Sequence, residues 1–195
     1  MVNTNSPIGF FDSGVGGTSI WKEVLRRLPK EHTIYLSDSE NAPYGEKSKD
    51  QIIALCKKNT EFLLQKNCKI IVVACNTATT NAIDFLRNNY DIPFIGIEPA
   101  IKPAALNTKT KKIAILATKG TLNSTLFEKT SSIINKDIEV QETTGKGLVE
   151  LIEDGKLNSK EMTSLLSSYL KPMVINNIDS LVLGCTHYPY LIPQI

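Results

Sequence analysis

Histidine and cysteine are scarce in this chain: its 195 residues include two of the first and four of the second. Cys56, Cys68, Cys75 and Cys185 form no CxxC pair, whereas a structural zinc site takes clustered Cys and His ligands. No metal site is expected. The opening segment, residues 1–7, has neither the basic start nor the apolar core of a secretion signal. The thiols are therefore read as reduced in a cytoplasm, with disulfides the lesser alternative. No apolar run approaches the roughly 20 residues of a membrane-spanning helix, so no membrane partner is expected. Charge of one sign is also missing. Up to Glu98 there are 11 basic and 11 acidic residues, and after it 11 and 9. Nucleic-acid binding usually shows as a basic patch or stripe; the sequence has none, which argues against a nucleic-acid partner.

What is present is an ordinary globular composition, 42% hydrophobic and 22% charged. The length suits one large domain or two small ones. Short apolar runs at 8–11, 33–36, 70–74 and 94–97 read as strands in the first half, and runs at 113–117, 138–141 and 181–184 in the second. Amphipathic stretches at 19–28, 49–66, 121–134 and 159–175 read as helices. Strands alternating with helices predict βαβ units and a largely parallel sheet. Pro172 falls inside the last helical stretch and predicts a kink or break there.

The halves also echo each other. Ile8-Gly9-Phe10-Phe11 corresponds to Ile113-Ala114-Ile115-Leu116, and Ile71-Val72-Val73-Ala74-Cys75-Asn76-Thr77 to Leu181-Val182-Leu183-Gly184-Cys185-Thr186-His187. The offsets are 105 and 110 residues. The fold class expected is α/β, as two similar lobes with mainly parallel sheets and the active site in the cleft between them. Residues 1–98 would form the first lobe, with Cys75, and 99–195 the second, with Cys185, divided near Glu98-Pro99. The apolar run 191–195 follows directly on a motif, so a further C-terminal piece is expected to be missing.

Ligands of open α/β sheets bind at the carboxyl ends of the strands. Cys75 and Cys185 each follow a strand and precede an expected helix, whose dipole would favour thiolate. One buried cysteine is often just a small hydrophobe; two in matched contexts point to reactive thiols. Cys56 and Cys68 read as filler. In Asp12-Ser13-Gly14-Val15-Gly16-Gly17 a strand enters a glycine turn whose backbone amides could hold an anion. A dinucleotide fingerprint fits poorly, because Ser19 takes the third glycine position and Asp12 would stand beside the pyrophosphate. Asp12 and Ser13 are better used on an ammonium group or beside a catalytic base. Asn41-Ala42-Pro43-Tyr44-Gly45 reads either as a plain turn or as a loop offering amides to a carboxylate. Asn76-Thr77 and Thr186-His187 are helix caps or donors beside each thiol, and His187 would tune Cys185. His32 reads as solvated. Glu150, Glu153 and Asp154 read as a solvated acidic face from which one member could turn to the cleft.

Two thiols suit proton transfer at a stereocentre: one deprotonates carbon as thiolate while the other, as thiol, reprotonates the opposite face. A single-thiol hydrolase or acyl transferase would leave Cys75 unemployed. The chain resembles the glutamate racemase family in five segments, in the family's order. These are 11–17, then Ala42-Pro43-Tyr44-Gly45-Glu46-Lys47-Ser48, Ala74-Cys75-Asn76-Thr77-Ala78-Thr79, Gly96-Ile97-Glu98-Pro99, and Gly184-Cys185-Thr186-His187-Tyr188-Pro189.

That resemblance implies a racemase that needs no cofactor, interconverting L- and D-glutamate in the cytoplasm for peptidoglycan, with a homodimer as one form open to it. An aspartate or broad-specificity racemase, or a truncated chain that only binds an amino acid, is the alternative. By the same resemblance Cys75 and Cys185 carry the proton transfers, the first typically on the D- and the second on the L-enantiomer. Asp12, His187 and, less directly, Glu153 assist. Asp12, Ser13, Tyr44, Gly45, Asn76, Thr77, Thr186 and His187 would contact substrate. Ser37-Asp38-Ser39-Glu40-Asn41 departs from the family pattern, which commonly has a glycine–aspartate pair and a small hydroxyl residue there.

Overall fold

The computed structural model describes residues 5–132, 134 and 137–195. Among the described residues seven strands form two sheets, and every strand pairing is parallel. In the first sheet, β1 (Ile8–Asp12), β2 (Thr33–Ser37), β3 (Ile70–Val73) and β4 (Phe94–Gly96) stand in the order β2-β1-β3-β4. In the second, β5 (Lys112–Ala117), β6 (Glu139–Thr144) and β7 (Ser180–Gly184) stand in the order β6-β5-β7. The second order repeats the first three strands of the first, which is the structural form of the sequence echo. In each sheet the chain winds one way from the central strand and then the other. That reversal opens a crevice at the carboxyl ends between β1 and β3, and again between β5 and β7.

The helices follow from local sequence. α1 (Thr18–Arg27) leaves the glycine turn, and α2 (Lys49–Gln65) starts from a capping box in which Ser48 and Gln51 satisfy each other's backbone amides. α3 (Asn76–Asn89) starts at Cys75 and α4 (Ile101–Asn107) follows the Pro99 segment. Four helices, α5 (Lys119–Leu122), α6 (Thr125–Ser131), α7 (Leu148–Glu153) and α8 (Lys160–Ile175), complete the set. Phe11, Ile71 and Val73 meet the α2 and α3 face, where they are packed with Leu63, Ile83 and Leu86. Phe10 and Val72 point to the opposite face, toward Ile20, Trp21 and Val24 of α1. Burying each such side chain stabilises by roughly 1.5–3 kcal/mol. The second sheet is covered by Ile101 and Phe127 on one face and by α7 and α8 on the other.

Three expectations shift. The single helix expected over 121–134 is two, because Thr118 and Ser124 each cap a separate start through bonds to Thr121 N–H and Phe127 N–H; residue 133 lies outside the described residues. β6 is longer than 138–141 and reaches Thr144, since its polar outer half pairs only with β5 at the sheet edge. α8 runs through Pro172 without a break. The proline sits in the last turn, so the bond it forfeits and the crowding of its ring fall at the end of the helix. Among the described residues no helix is long and apolar enough to cross a membrane.

Candidate active site

Strand ends carry the chemistry. β1 ends in Asp12, β3 leads into Cys75 and β7 into Cys185. All four cysteines are free thiols. Cys75 is 4% exposed and Cys185 7%. Cys75 Sγ accepts the Ala78 N–H at 3.4 Å, the helix-cap position, and donates toward Ser13 Oγ at 3.8 Å. The dipole argument fails for this thiol. Burial, and after it the charge of Asp12, holds it well above the ordinary value; the Ala78 N–H pulls the other way and does not win. Cys185, unlike Cys75, does not open an α-helix, for the turn after it is a 3₁₀ run, Tyr188–Gln194. Its sulfur instead lies 3.7 Å from His187 Nδ1.

Asp12 is fully buried. Its Oδ2 accepts the Gly17 N–H at 2.8 Å and the Gly14 N–H at 3.3 Å, and Oδ1 accepts the Thr186 hydroxyl at 3.4 Å from the other lobe. Burial raises its pKa; nearby His187 and the donated N–H groups offset part of the rise. The glycine turn therefore does bind an anion, but one supplied by the protein. Val15 N–H donates to Glu153 Oε1 at 2.7 Å, and a Cβ on Gly14 would lie 1.8 Å from the same oxygen. Only glycine lets the second lobe approach so closely.

Glu153 thus stands apart from Glu150 and Asp154, which remain exposed. Its Oε1 is 2.5 Å from His187 Nε2. The Gly16 N–H also points at Nε2, at 3.3 Å. One nitrogen cannot both donate to Glu153 and accept from Gly16, and the shorter, charge-assisted contact decides for a proton on Nε2. Burial works against charge on His187, yet hydrogen bonds to Cys185 and Glu153 and the charges of Cys185 and Asp12 push it up to about 11. For Glu153, burial alone would raise the carboxyl, but His187 and the Val15 N–H hold it below its ordinary value. His187 is therefore an imidazolium with Nδ1–H directed at the Cys185 sulfur.

Around this centre Thr77, Thr118 and Thr121 form a buried hydroxyl triangle across the lobes. Thr77 Oγ1 is 2.7 Å from Thr118 Oγ1 and 3.1 Å from Thr121 Oγ1. Asn76 Nδ2 donates to Ile97 O at 3.2 Å. Asp12, Ser13, Cys75, Cys185, Thr186, His187 and Glu153 are joined by the contacts already given, Thr186 accepting from Ser19 Oγ through its carbonyl. Tyr44 departs from expectation. The residue is 1% exposed, packed in the first lobe's core, and its hydroxyl donates to Asp38, so the phenol is spent on the protein's own carboxylate. Sequence reasoning missed Thr118, Thr121 and Asp38. The 105-residue offset that relates β1 to β5 places Thr118 opposite Ser13, and that signal was available.

The Gly14, Val15 and Gly17 amides are taken by Asp12 and Glu153, and the Gly16 amide faces His187, so the turn does not form a phosphate cradle. Among the described residues, no three His, Cys, Asp or Glu side chains are grouped to hold a metal ion. What the site can do is move protons between two thiols placed in different electrostatic settings.

The Asp/Glu/hydantoin racemase family matches residues 11–195. A glutamate racemase of Herpetosiphon aurantiacus is 44% identical over 187 residues, covering 96% of this chain and 74% of that one. The structure of Escherichia coli glutamate racemase in complex with L-glutamate and activator UDP-MurNAc-Ala is similar at a TM-score of 0.86 and 33% identity, covering 96% of this chain and 72% of that chain. Francisella tularensis glutamate racemase in complex with D-glutamate superposes at a TM-score of 0.84 with 33% identity, covering 99% and 73%.

Proposed function

This chain belongs to the glutamate racemase family, within the Asp/Glu/hydantoin racemases, and on that premise we propose that it interconverts L- and D-glutamate by proton transfer between the α-carbon and two thiols. The observation that carries the reading is the pair of buried thiols, one at each lobe's crevice, with Asp12 beside the first and His187 beside the second. The solved relatives hold L-glutamate in one case and D-glutamate in the other.

The setting of Cys75 suits one direction. Cys75 is held as a thiol by burial and Asp12, so it is ready to give a proton. Cys185 lies 3.7 Å from His187 Nδ1, which gives the second thiol a proton-carrying partner. Cys185 takes the α-proton of L-glutamate, Cys75 delivers its own proton to the opposite face, and D-glutamate results. The reverse direction requires the protons to exchange places, with Asp12 and His187 assisting on their own sides. The chemistry needs neither a hydride nor an external electron sink, so no cofactor is assigned. Acid and base groups positioned at the reacting carbon contribute roughly 10²–10⁴-fold to such transfers.

Asp12, Ser13, Asn76, Thr77, Thr186 and His187, with the Tyr44-Gly45 backbone, are assigned to substrate. The lobes are taken as 1–98 and 99–195. A cytoplasmic location, supply of D-glutamate to peptidoglycan and a homodimer belong to the same reading, the last open to light scattering.

Racemisation in deuterated water tests the proposal. Either enantiomer should lose optical activity and gain solvent deuterium at the α-carbon, with no cofactor added. Unlabelled glutamate of unchanged rotation after long incubation would overturn it.

A further inference from the structure

We propose that Asp38 and Asn59 are positioning residues that lock the Tyr44-Gly45 backbone at the seam between the lobes, and through it set the affinity for the substrate carboxylate. The second half of this inference rests on the glutamate racemase reading; the first half rests on the geometry alone.

Asp38 directly follows β2 and is 8% exposed. Its backbone N–H donates to Asp12 O at 3.0 Å, so the base of the side chain is registered to the strand end that carries Asp12. Three donors converge on its carboxylate. Asn41 Nδ2 reaches Oδ1 at 2.8 Å, and the Tyr44 hydroxyl donates to Oδ2. Asn59 Nδ2 lies 3.5 Å from the same oxygen and 3.1 Å from the Tyr44 hydroxyl.

Asn59 is the unusual member. It is 3% exposed on the core face of α2, in line with Cys56 and Leu63. An amide there loses its water and destabilises the fold unless it is bonded. Its Nδ2 bonds run to Tyr44 and Asp38, which together hold the phenol in one orientation.

The loop that follows Tyr44 is the beneficiary. It is wound into a 3₁₀ turn closed by Lys47 N–H to Tyr44 O at 3.1 Å. Gly45 is buried against the second lobe, where a Cβ would fall 2.7 Å from Thr118 Cβ. The reading above assigns this backbone to substrate, so its position at the seam decides how well its N–H groups meet the substrate carboxylate. An extended aromatic lever, fixed at its far end by Asp38 and Asn59, keeps that backbone from relaxing away.

Asp38→Asn and Asn59→Ala, singly and combined, are the test. L- and D-glutamate affinity is measured by calorimetry, kcat by racemisation, and amide exchange over 42–47 by mass spectrometry. Losing one bond to a charged group should weaken glutamate binding roughly tenfold, with kcat changed less than about threefold, as expected for lost uniform binding. Exchange over 42–47 should rise in both variants without ligand. The double variant should bind no more weakly than the worse single one, because the groups act as one unit. A merely structural role would lower the melting temperature and leave affinity unchanged, which overturns the proposal. Unchanged exchange over 42–47 overturns it as well. If the wild type binds glutamate without turnover, the racemase reading fails while affinity and exchange still decide the positioning role.

Discussion

Glu153 Oε1 and His187 Nε2 stand 2.5 Å apart, and the same oxygen accepts Val15 N–H from the first lobe. One carboxylate thereby holds the imidazolium beside Cys185 and ties the second lobe to the glycine turn. Glu153→Gln keeps the shape and removes the charge. With two histidines in the chain, proton NMR reads His187 directly. Its titration should move down from about 11, and the alkaline limb of the racemisation profile should move with it. An unmoved midpoint would dismiss the coupling.

The sign of the pH effect on stability follows from the same pair. His187 titrates above its ordinary 6.5, so its contribution is complete below that pH and is lost as pH rises through about 11. Glu153 titrates below its ordinary 4.5, so its contribution is present above that pH and is lost as pH falls through the lowered value. The pair is fully engaged between about 4.5 and 6.5. Denaturant melts across pH should show that Glu153→Gln loses most in this window; a loss independent of pH would contradict it.

Gly14→Ala should separate folding from function. Its Cβ would meet Glu153 Oε1 at 1.8 Å, so the carboxylate must leave Val15 and His187. Circular dichroism should report an intact fold, while racemisation falls and the His187 titration moves as in Glu153→Gln. Wild-type activity in Gly14→Ala would show that the contact is dispensable.

The cysteines should differ by enantiomer. Cys185→Ser should remove α-deuterium exchange from L-glutamate more than from D-glutamate, and Cys75→Ser the reverse. Overall racemisation should drop roughly 10²–10⁴-fold in each. Equal loss of both exchanges in both variants would argue against separate faces.

A distant site makes an acid-stability prediction. Asp179 accepts Thr108 Oγ1 at 2.6 Å, Lys109 N–H at 2.6 Å and Thr110 N–H at 2.9 Å. These bonds, the Thr108 hydroxyl foremost, hold its carboxyl down at about 2. A lowered value gives stability above the ordinary 3.8 that is lost as pH falls through about 2. Asp179→Ala should be less stable than wild type at neutral pH, with the two melting curves converging in acid. A constant gap down to that pH would refute the assignment.

Much of the fold was legible because each strand is a compact apolar run bounded by polar residues. All seven were placed, from Ile8 to Gly184, with edge errors of a few residues. β6 was cut short because Glu142, Thr143 and Thr144 give no apolar signal on an edge strand. The helix break at Asn123-Ser124 was hidden because Ser124 caps one helix directly after another ends, and the amphipathic pattern continues across both. At the site, the strand–cysteine repeat exposed Cys75 and Cys185, and the fold turns His187 back onto Cys185. By local pattern Glu153 is one of three acidic residues and only the resemblance sets it apart, since its distinction lies in a contact 138 residues away. Tyr44 was assigned to substrate by its loop, whereas the fate of its ring depends on Asp38 and Asn59, which no local pattern links to it.

The hydroxyl triangle of Thr77, Thr118 and Thr121, the Thr186–Asp12 bond and the Val15–Glu153 bond all cross from one lobe to the other at the reacting centre. Catalytic assembly and lobe adhesion are therefore the same event. Each lobe carries one sulfur and part of the electrostatic support of the other lobe's groups. Activity in this molecule is a property of the interface, and anything that wedges, charges or dries that seam acts on turnover without touching a thiol.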